Sequence, residues 1–366
     1  MTKSIFVTQP VLPNLADFIP YLEQIWDNKI LTNCGPLHQQ LEQQLCEYLG
    51  VKHISLFNNG TIALITALQA LGLEKGEVIT TPYTFIATAH SIIWNNLTPV
   101  FVDIDILTSN IDPKKVEQAI TDKTVAILPV HCYGLPCDVE LLKDLADKHN
   151  IKLIYDAAHA FGVKHNGKSL LNYGDLSVIS FHATKVFNTF EGGAIVSHSL
   201  EMKTKIDQLR NFGIVDEVTV SDVSLNGKLS EIHSALGLLQ LKDIEQTLNA
   251  RKVIDELYRE LLRDVDGIAC IQRIASDIDN YAYFPIVVED SFPLNRDELF
   301  AKFKEHSIFA RKYFYPMMTD FEIYRKYSSD TPNAKWLSEH VLCLPMYPNL
   351  NDIQIKKIVD IMKECV

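Results

Sequence analysis

The sequence lacks the features that mark membrane proteins, secreted proteins and nucleic-acid-binding proteins. No window approaches the roughly eighteen uncharged apolar residues that a membrane-spanning helix needs. No basic segment followed by an apolar one opens the chain, so we expect no secretory signal. Basic residues are outnumbered, since 34 lysines and arginines stand against 46 aspartates and glutamates and the formal charge is −12. Nucleic acids and anionic membranes are bound through clustered cations, so we expect neither as a partner.

The seven cysteines show no metal-like spacing. Cys132 and Cys137 are the closest pair, and no nearby residue completes a zinc set. Scattered, odd-numbered cysteines are typical of a reducing compartment, so we expect a cytoplasmic protein with free thiols and no metal. No strand is followed by Gly-x-Gly-x-x-Gly, which disfavours a Rossmann oxidoreductase.

What is present is the composition of a globular protein, with 47% hydrophobic and 22% charged residues. The apolar runs Val100–Asp105 and Val125–Val130 are typical of strands buried on both faces, and hence of a parallel sheet flanked by helices. Strand, loop and helix alternate through residue 196, which predicts a doubly wound, mostly parallel α/β sheet. We expect a large domain with an N-terminal arm over residues 1–249 and a small α+β domain over 250–366.

Two charged residues follow predicted buried strands. Asp156 ends the strand that begins at Ile151, and Lys185 lies on a tight connection after the apolar run Leu176–Ile179. The carboxyl ends of parallel strands face the crevice in which open α/β sheets bind ligands. A pyridoxal phosphate enzyme needs a Schiff-base lysine and an acid that keeps the pyridine nitrogen protonated. Asp156 and Lys185 therefore predict such a site.

A turn upstream predicts the phosphate site of this cofactor. Residues Asn58–Thr61 connect a short strand to a helix over Ile62–Leu71. The first N–H groups of a helix are unpaired and carry the positive end of its dipole, which favours an anion. With a cofactor lysine downstream, we expect Gly60 and Thr61 to donate to the 5′-phosphate.

Three motifs give the chain a resemblance to a known family: Asp156-Ala-Ala-His159, Ser180-Phe-His-Ala-Thr-Lys185 and Glu191-Gly-Gly193. They resemble those of the DegT/StrS group of pyridoxal-phosphate-dependent nucleotide-sugar aminotransferases. The resemblance extends from Leu31 to Pro348 and implies the aspartate-aminotransferase-like fold, fold type I. It also implies a nucleotide-sugar ketone and glutamate as substrates, a homodimer, and a role in lipopolysaccharide (O-antigen) biosynthesis.

The resemblance assigns cofactor contacts to further residues. Phe85 would stack on the cofactor ring, although a core phenylalanine is the alternative. His159 would hydrogen-bond the ring hydroxyl oxygen, and Ser180 would add its hydroxyl to the phosphate site. Asn226 would reach the phosphate of the neighbouring subunit, so each active site would be shared across the dimer. Lys228 stands where relatives have arginine, which keeps the charge but loses the bidentate fork.

Residue types and resemblance together predict a substrate site formed by Asn33, Gly35, His131, Arg210, Arg311 and Tyr313. The segment Phe309–Pro316 interleaves two cations with aromatic rings, which suits a diphosphate and a stacked base. The alternative for this segment is an edge strand shielded by charge. For the loop at Asn33 and Gly35 the alternative is a simple helix entrance.

The predicted reaction is a ping-pong transamination in which Lys185 abstracts the α-proton of the amino donor. Some relatives have histidine in place of the lysine and are dehydratases, so Lys185 favours transamination. Two departures from the family pattern, Tyr155 where many relatives have glutamate and Thr189-Phe190 before Glu191, suggest different contacts near the lysine.

The substrate prediction is dTDP-4-keto-6-deoxy-D-glucose, which would become dTDP-4-amino-4,6-dideoxy-D-glucose. The segments that carry it are Thr8–Pro10, Leu31–Asn33, Asn59–Thr61 and Thr80–Phe85, which look most like the family members that aminate this sugar. Three alternatives stay open at this level. They are amination of a 3-keto sugar by the same machinery, an amino-acid aminotransferase or lyase of the same fold, and a cofactor-binding regulator without turnover.

Overall fold

The structure, a computed structural model, describes residues 4–273 and 277–366. Its strands are β1 (Ile5–Phe6), β2 (His53–Phe57), β3 (Glu77–Thr80), β4 (Thr98–Phe101), β5 (Thr124–Ile127), β6 (Lys152–Asp156), β7 (Lys164–His165), β8 (Lys168–Ser169), β9 (Leu176–Ser180), β10 (Gly193–Ser197), β11 (Ile268–Cys270), β12 (Phe284–Val288), β13 (Ile308–Phe309) and β14 (Val341–Leu344). Its helices are α1 (Leu15–Asn28), α2 (Pro36–Leu49), α3 (Gly60–Ala70), α4 (Ile86–Trp94), α5 (Pro113–Ala119), α6 (Val139–His149), α7 (Leu200–Leu209), α8 (Glu231–Lys242), α9 (Ile244–Leu262), α10 (Arg296–Glu305), α11 (Pro332–His340) and α12 (Asp352–Lys363). None of the helices within the two described ranges is both long and apolar enough to cross a membrane.

A seven-stranded sheet forms the centre of the molecule, in the order β2–β10–β9–β6–β5–β3–β4. Strand β10 runs antiparallel to both of its neighbours, and the remaining neighbours pair in parallel. The predicted mostly parallel α/β sheet is confirmed. Strands β6 and β9 lie side by side in parallel, with Asp156 opposite Val178. The segments that follow the two strands therefore leave the sheet at the same edge.

Helices cover both faces of this sheet, which explains the near-continuous apolar runs of the strands. Side chains alternate between the faces as the pleat requires. In β9, Val178 packs in the cluster with α3 and α7, whereas Ile179 packs in the opposite cluster with α2, α6 and α8. Each strand therefore buries both sets of its side chains.

The C-terminal part has a smaller core of its own. Strands β11, β12 and β14 form an antiparallel sheet, and apolar residues of α10, α12 and the second half of α9 pack against it. Helix α9 joins the two cores, because Ile244 and Leu248 belong to the large one and Tyr258 and Leu262 to the small one. The division at residues 249 and 250 falls within this helix and stays a prediction.

The N-terminal strand belongs to the C-terminal core. We expected the arm to go with the large domain, but β1 pairs in parallel with β13, with Ile5 opposite Ile308. Ile5 is buried in the smaller core, and this burial of an apolar side chain stabilises the pairing of the short strand with β13. The first residues of the chain thus help to hold its last third.

One buried carboxylate ties the end of the central sheet to a helix of the C-terminal part. Asp103, which is 3% exposed, follows β4. Its Oδ2 accepts a hydrogen bond from the backbone N–H of Asn333 at 3.0 Å, and its Oδ1 accepts one from Ala334 at 2.8 Å. These are first-turn N–H groups of α11, so Asp103 caps that helix from a distant part of the chain.

Replacing Asp103 with Ala should therefore destabilise the fold by about 2 kcal/mol, because a buried helix end loses its acceptor. Chemical unfolding measured by circular dichroism tests this. The matched control is Asp105→Ala, since the Asp105 carboxylate accepts hydrogen bonds from the backbone N–H groups of Leu107 and Thr108 in its own loop. Equal losses in the two variants would contradict a bridging role for Asp103.

Candidate active site

A cavity of about 220 Å³ opens where β6 and β9 end and α3 and α4 begin. Most of the predicted cofactor residues line it, together with two of the predicted substrate residues: Gly60, Thr61, Phe85, Asp156, His159, Ser180, Lys185, Arg311 and Tyr313. The fold thus brings together residues from the central sheet and from the segment after β13.

The wall at the start of α3 has the form of an anion cradle. Asn59 caps the helix by accepting a hydrogen bond from the backbone N–H of Ile62 at 2.8 Å. The preceding N–H groups, those of Gly60 and Thr61, have no intrahelical partner. Strand β10 approaches closely, since a Cβ on Gly193 would lie 2.7 Å from the nitrogen of Gly60. Only glycine at 193 leaves room for this backbone contact, and a phosphate suits the exposed N–H groups.

Asp156 is a buried carboxylate whose surroundings suit a cation. Its Oδ2 accepts a hydrogen bond from Thr88 Oγ1 at 2.8 Å, and its Oδ1 accepts one from the backbone N–H of Ala158 at 3.1 Å. Burial raises the pKa of Asp156, and the two hydrogen bonds and the charge of Lys185 only partly oppose the rise. A protonated ring nitrogen placed here would supply the missing positive charge.

Lys185 lines the same cavity, and its pKa is lowered. Burial lowers the pKa of Lys185, the nearby Tyr313 and Asp156 oppose the fall, and the charge of Arg311 adds to it. Its Nζ donates a hydrogen bond to Tyr283 Oη at 3.3 Å. A lysine with a lowered pKa has more neutral amine near neutral pH, which is what a nucleophile requires.

The hydrogen bonds of His159 fix its tautomer. Its Nδ1 accepts the backbone N–H of Tyr133 at 3.2 Å, so the ring proton resides on Nε2. Burial, followed by the charge of Lys185, holds the pKa of His159 well below its ordinary value, which keeps the ring neutral. Nε2 lies 3.4 Å from Tyr283 Oη and can donate to an oxygen in the cavity. The predicted role of His159 toward a ring hydroxyl requires this tautomer.

Several residues of this site were not found from the sequence. Thr88 lies in the first turn of α4, Tyr283 just precedes β12, and Asn280 links the two regions. The Asn280 amide donates to the backbone oxygen of His159 at 2.7 Å and to that of Phe161 at 2.9 Å. A polar Tyr283 beside a buried strand was the one local signal available, since a phenol in such a place needs a partner.

His131 does not line the cavity. It is fully buried, and its ring stacks on that of Tyr155 with 4.5 Å between the centroids. Its Nδ1 accepts the backbone N–H of Cys137 at 3.1 Å. Burial lowers the pKa of His131 to about 3, so the ring is neutral. In this position the ring packs and orders a loop, and the predicted substrate contact gains no support.

The other predicted substrate and phosphate residues lie outside the cavity of their own chain. Asn33 and Asn226 are exposed. A Cβ on Gly35 would lie 2.7 Å from Glu231, whose carboxylate accepts the backbone N–H groups of α2, so Gly35 serves the helix entrance. Arg210 is 2% exposed and forms ion pairs with Glu42 and Asp207.

The residues of the cavity fit pyridoxal phosphate. The cradle at Gly60 and Thr61 suits the phosphate, Asp156 forms no ion pair within the described parts of the chain, and Lys185 offers an amine with a lowered pKa. Phe85 lines the cavity with about half of its side chain exposed and can cover a flat ring. Each of these features belongs to the residues of the chain itself.

Comparison with known proteins identifies relatives over the whole chain. The model of the DegT/DnrJ/EryC1/StrS aminotransferase family matches residues 14–363. The chain is 57% identical over 366 residues to a dTDP-4-amino-4,6-dideoxy-D-glucose transaminase of Shigella dysenteriae, with all of both chains covered. It is 52% identical to an Escherichia coli protein of the same name, with 98% of each chain covered. A crystal structure of DesI with its TDP-sugar product has a TM-score of 0.95 at 33% identity and covers all of this chain and 93% of DesI.

Replacing Asp156 with Asn should separate cofactor capture from catalysis. The Asp156 charge raises the pKa of Lys185, so its removal should lower that pKa further. Because only the neutral amine reacts with an aldehyde, the apoprotein variant should capture pyridoxal phosphate with a pH midpoint below that of the wild type. Amine transfer should fall at least about a hundredfold, since the ring nitrogen loses its acid partner.

Absorbance titrations of the apoprotein against pH measure the capture, and Thr88→Val is the control. That variant keeps the carboxylate and loses one of its hydrogen bonds, so its capture should not move to lower pH. A midpoint in Asp156→Asn that is unchanged or higher would contradict the electrostatic coupling of the two groups.

Proposed function

We propose that this chain, which belongs to the DegT/DnrJ/EryC1/StrS aminotransferase family and has pyridoxal 5′-phosphate as its cofactor, aminates dTDP-4-keto-6-deoxy-D-glucose at C4 with glutamate as the donor. The observation that carries the proposal is the 57% identity, over the full length of both chains, to an enzyme named for the product of this step. The cavity that contains Asp156 and Lys185 supplies the groups that amine transfer needs.

The proposed cofactor contacts follow the geometry of the cavity. The N–H groups of Gly60 and Thr61 and the hydroxyl of Ser180 hold the phosphate. Asp156 binds the ring nitrogen, Phe85 covers one ring face, and His159 Nε2–H donates to the ring hydroxyl oxygen. When bound, pyridoxal phosphate supplies an aldehyde that holds the amino group and a ring that accepts electrons.

Lys185 is the proton carrier of the proposed reaction. With its lowered pKa, Nζ can accept a proton from the α-carbon of the donor and return one to the sugar carbon that receives nitrogen. Tyr283 Oη positions Nζ through their hydrogen bond of 3.3 Å. Burial raises the pKa of Tyr283 to about 12, so its phenol stays neutral and does not compete for the proton.

Aromatic side chains on one side of the cavity keep water out and form part of the proposed substrate site. Tyr83 Oη donates to the backbone oxygen of Tyr313 at 2.8 Å, which fixes this wall. The Arg311 guanidinium lies 4.8 Å from the centroid of the Tyr313 ring. Charge and aromatic surface are thus presented together, as a sugar-linked diphosphate and a base require.

The proposal includes a cytoplasmic homodimer with shared active sites. Asn33 and Asn226 are exposed and lie outside their own cavity, so a second copy can present them to the site of its partner. The side chains of Trp26, Phe212 and Val218 are exposed and apolar, which also favours burial in an interface. The aminated sugar would then serve as a building block of lipopolysaccharide.

The substrate test compares ketones with glutamate as donor. The purified protein should aminate dTDP-4-keto-6-deoxy-D-glucose, and turnover with the 3-keto isomer or with small 2-keto acids should be at least about a hundredfold lower in kcat/KM. Chromatography and mass spectrometry of the products measure this. Preference for the 3-keto sugar or for 2-keto acids would overturn the substrate, and cofactor binding without turnover of any ketone would favour a regulator.

Lys185→Ala should abolish both amine transfer and the visible absorbance of covalently held cofactor, since no other amine lines the cavity among the described residues. Lys185→Arg is the matched control, because it keeps a positive charge but cannot form the covalent bond. Retained absorbance in Lys185→Ala would place the attachment elsewhere.

Shared sites predict complementation between inactive subunits. Co-expressed Lys185→Ala and Asn226→Asp chains should recover about a quarter of wild-type activity, since half of the dimers are mixed and each of these has one intact site. The matched control pairs Lys185→Ala with Asp156→Asn, which lie in the same cavity of one chain and should give no recovery. Dimers without recovery in the first pair would contradict sharing through Asn226.

A further inference from the structure

A second cluster of reactive groups lies at the start of α2, away from the cavity. Cys34 is half-buried on the loop before this helix, and its backbone oxygen accepts a hydrogen bond from Gln39. Arg210 Nη2 donates to Cys34 Sγ at 3.3 Å. A guanidinium in contact with sulfur favours the thiolate over the thiol, because only the thiolate gains from the charge.

His38 is the second partner of this sulfur. The ring is 1% exposed, and its Nε2 lies 3.1 Å from Glu42 Oε1. Its Nε2 also lies 3.3 Å from Arg210 Nη1, and its buried Nδ1 has no hydrogen-bond partner among the described residues. The ring interacts with the Cys34 thiol and lowers the pKa of that thiol. Cys34, His38 and Glu42 thus follow one another at intervals of four residues, an order in which the carboxylate steadies the imidazole and the imidazole faces the sulfur.

The charges around the cluster agree with this arrangement. Interaction with His38 and the charge of Arg210 lower the pKa of Cys34 more than burial and Glu42 raise it. Burial and the charge of Arg210 lower the pKa of His38, but the interactions with Cys34 and Glu42 outweigh them and bring it to about 8, which favours the imidazolium at neutral pH. The other charged groups packed on the cluster are Lys203, Asp207, Lys228 and Glu231.

We propose that Cys34 is a modification site, a reactive thiolate paired with the imidazolium of His38, which takes hydrogen peroxide and small alkylating electrophiles. With peroxide, Sγ attacks one oxygen, the S–O bond forms as the O–O bond breaks, and the departing hydroxide takes a proton from His38 to leave as water. Sulfur is oxidised by two electrons to a sulfenic acid and the peroxide is reduced. A thiol such as glutathione reverses the step through a mixed disulfide.

The location gives the modification a consequence for the enzyme. Cys34 lies between Asn33 and Gly35, and the Gly35 backbone is packed against Glu231 with no space for a side chain. An added group on Sγ must therefore displace the loop outward or break the contact with Arg210. On the proposed function this loop helps to bind the sugar nucleotide, so modification should lower amine transfer, and this part of the inference rests on that function.

The experiment measures the rate at which each cysteine of the holoenzyme reacts with limiting iodoacetamide, by mass spectrometry of peptides between pH 5.5 and about 9. Cys46 is the matched internal control, since it is half-buried on α2 and near the same Glu42, but burial raises its pKa. At pH 7, Cys34 should react at least about tenfold faster than Cys46, with its half-maximal rate below the ordinary thiol pKa of about 8.5.

His38→Gln should slow the labelling of Cys34 at pH 7 and move its pH profile toward that of an ordinary thiol, leaving Cys46 unaffected. With hydrogen peroxide, a sulfenic-acid probe should label Cys34 in the wild type and not in Cys34→Ser. Amine transfer by Cys34→Ser should resist a peroxide dose that inhibits the wild type. If His38→Gln does not fold, the wild-type pH profile and the comparison with Cys46 decide.

An ordinary pH profile for Cys34, or labelling no faster than that of Cys46, would overturn the proposal. Both readouts are independent of the substrate. Fast, His38-dependent labelling in a protein that does not aminate the proposed sugar would leave the thiolate assignment in place and refute only the function.

Discussion

The rest of the structure serves to place one amine and one carboxylate in the same cavity. Asp156 ends β6, and Lys185 lies on the connection that follows the adjacent strand β9. Burial raises the pKa of Asp156 and lowers that of Lys185, so it favours the neutral form of each group. The buried carboxylate therefore favours a cationic partner, and the buried amine favours an electrophile with which it can react. A cofactor with a cationic ring nitrogen and an aldehyde satisfies both, and the surrounding chain serves to hold the two groups at the edge of the sheet.

Both cores of the molecule contribute residues to the cavity. The central sheet provides Asp156 and the connection with Lys185, but Tyr283, Arg311 and Tyr313 arrive from the C-terminal part. Asn280 joins the two parts, because its side chain bonds the backbone on either side of the loop that carries His159. A shift of one core relative to the other would therefore displace both Lys185 and His159 from their positions in the site.

The sequence predicted those parts of the site whose signals are local. Asp156 at the end of an apolar strand and Gly60 in a turn before a helix are recognisable from their neighbours alone, as is Lys185 once the motif around it is seen. Thr88, Tyr283 and Asn280 were missed because their partners are brought close only by folding. His131 shows the opposite difficulty, since the same strand-end position that indicates a site also suits a buried ring stacked on Tyr155.

The pairing of β1 with β13 has a consequence for folding during synthesis. Ile5 is synthesised about 300 residues before its partner Ile308, the difference between the two positions. The smaller core cannot close during synthesis of the large sheet, so its apolar strands must wait for a late, long-range contact. A nascent chain of this protein would hold β1 unpaired until the segment that contains β13 has been synthesised, and the small core would be completed only after that point.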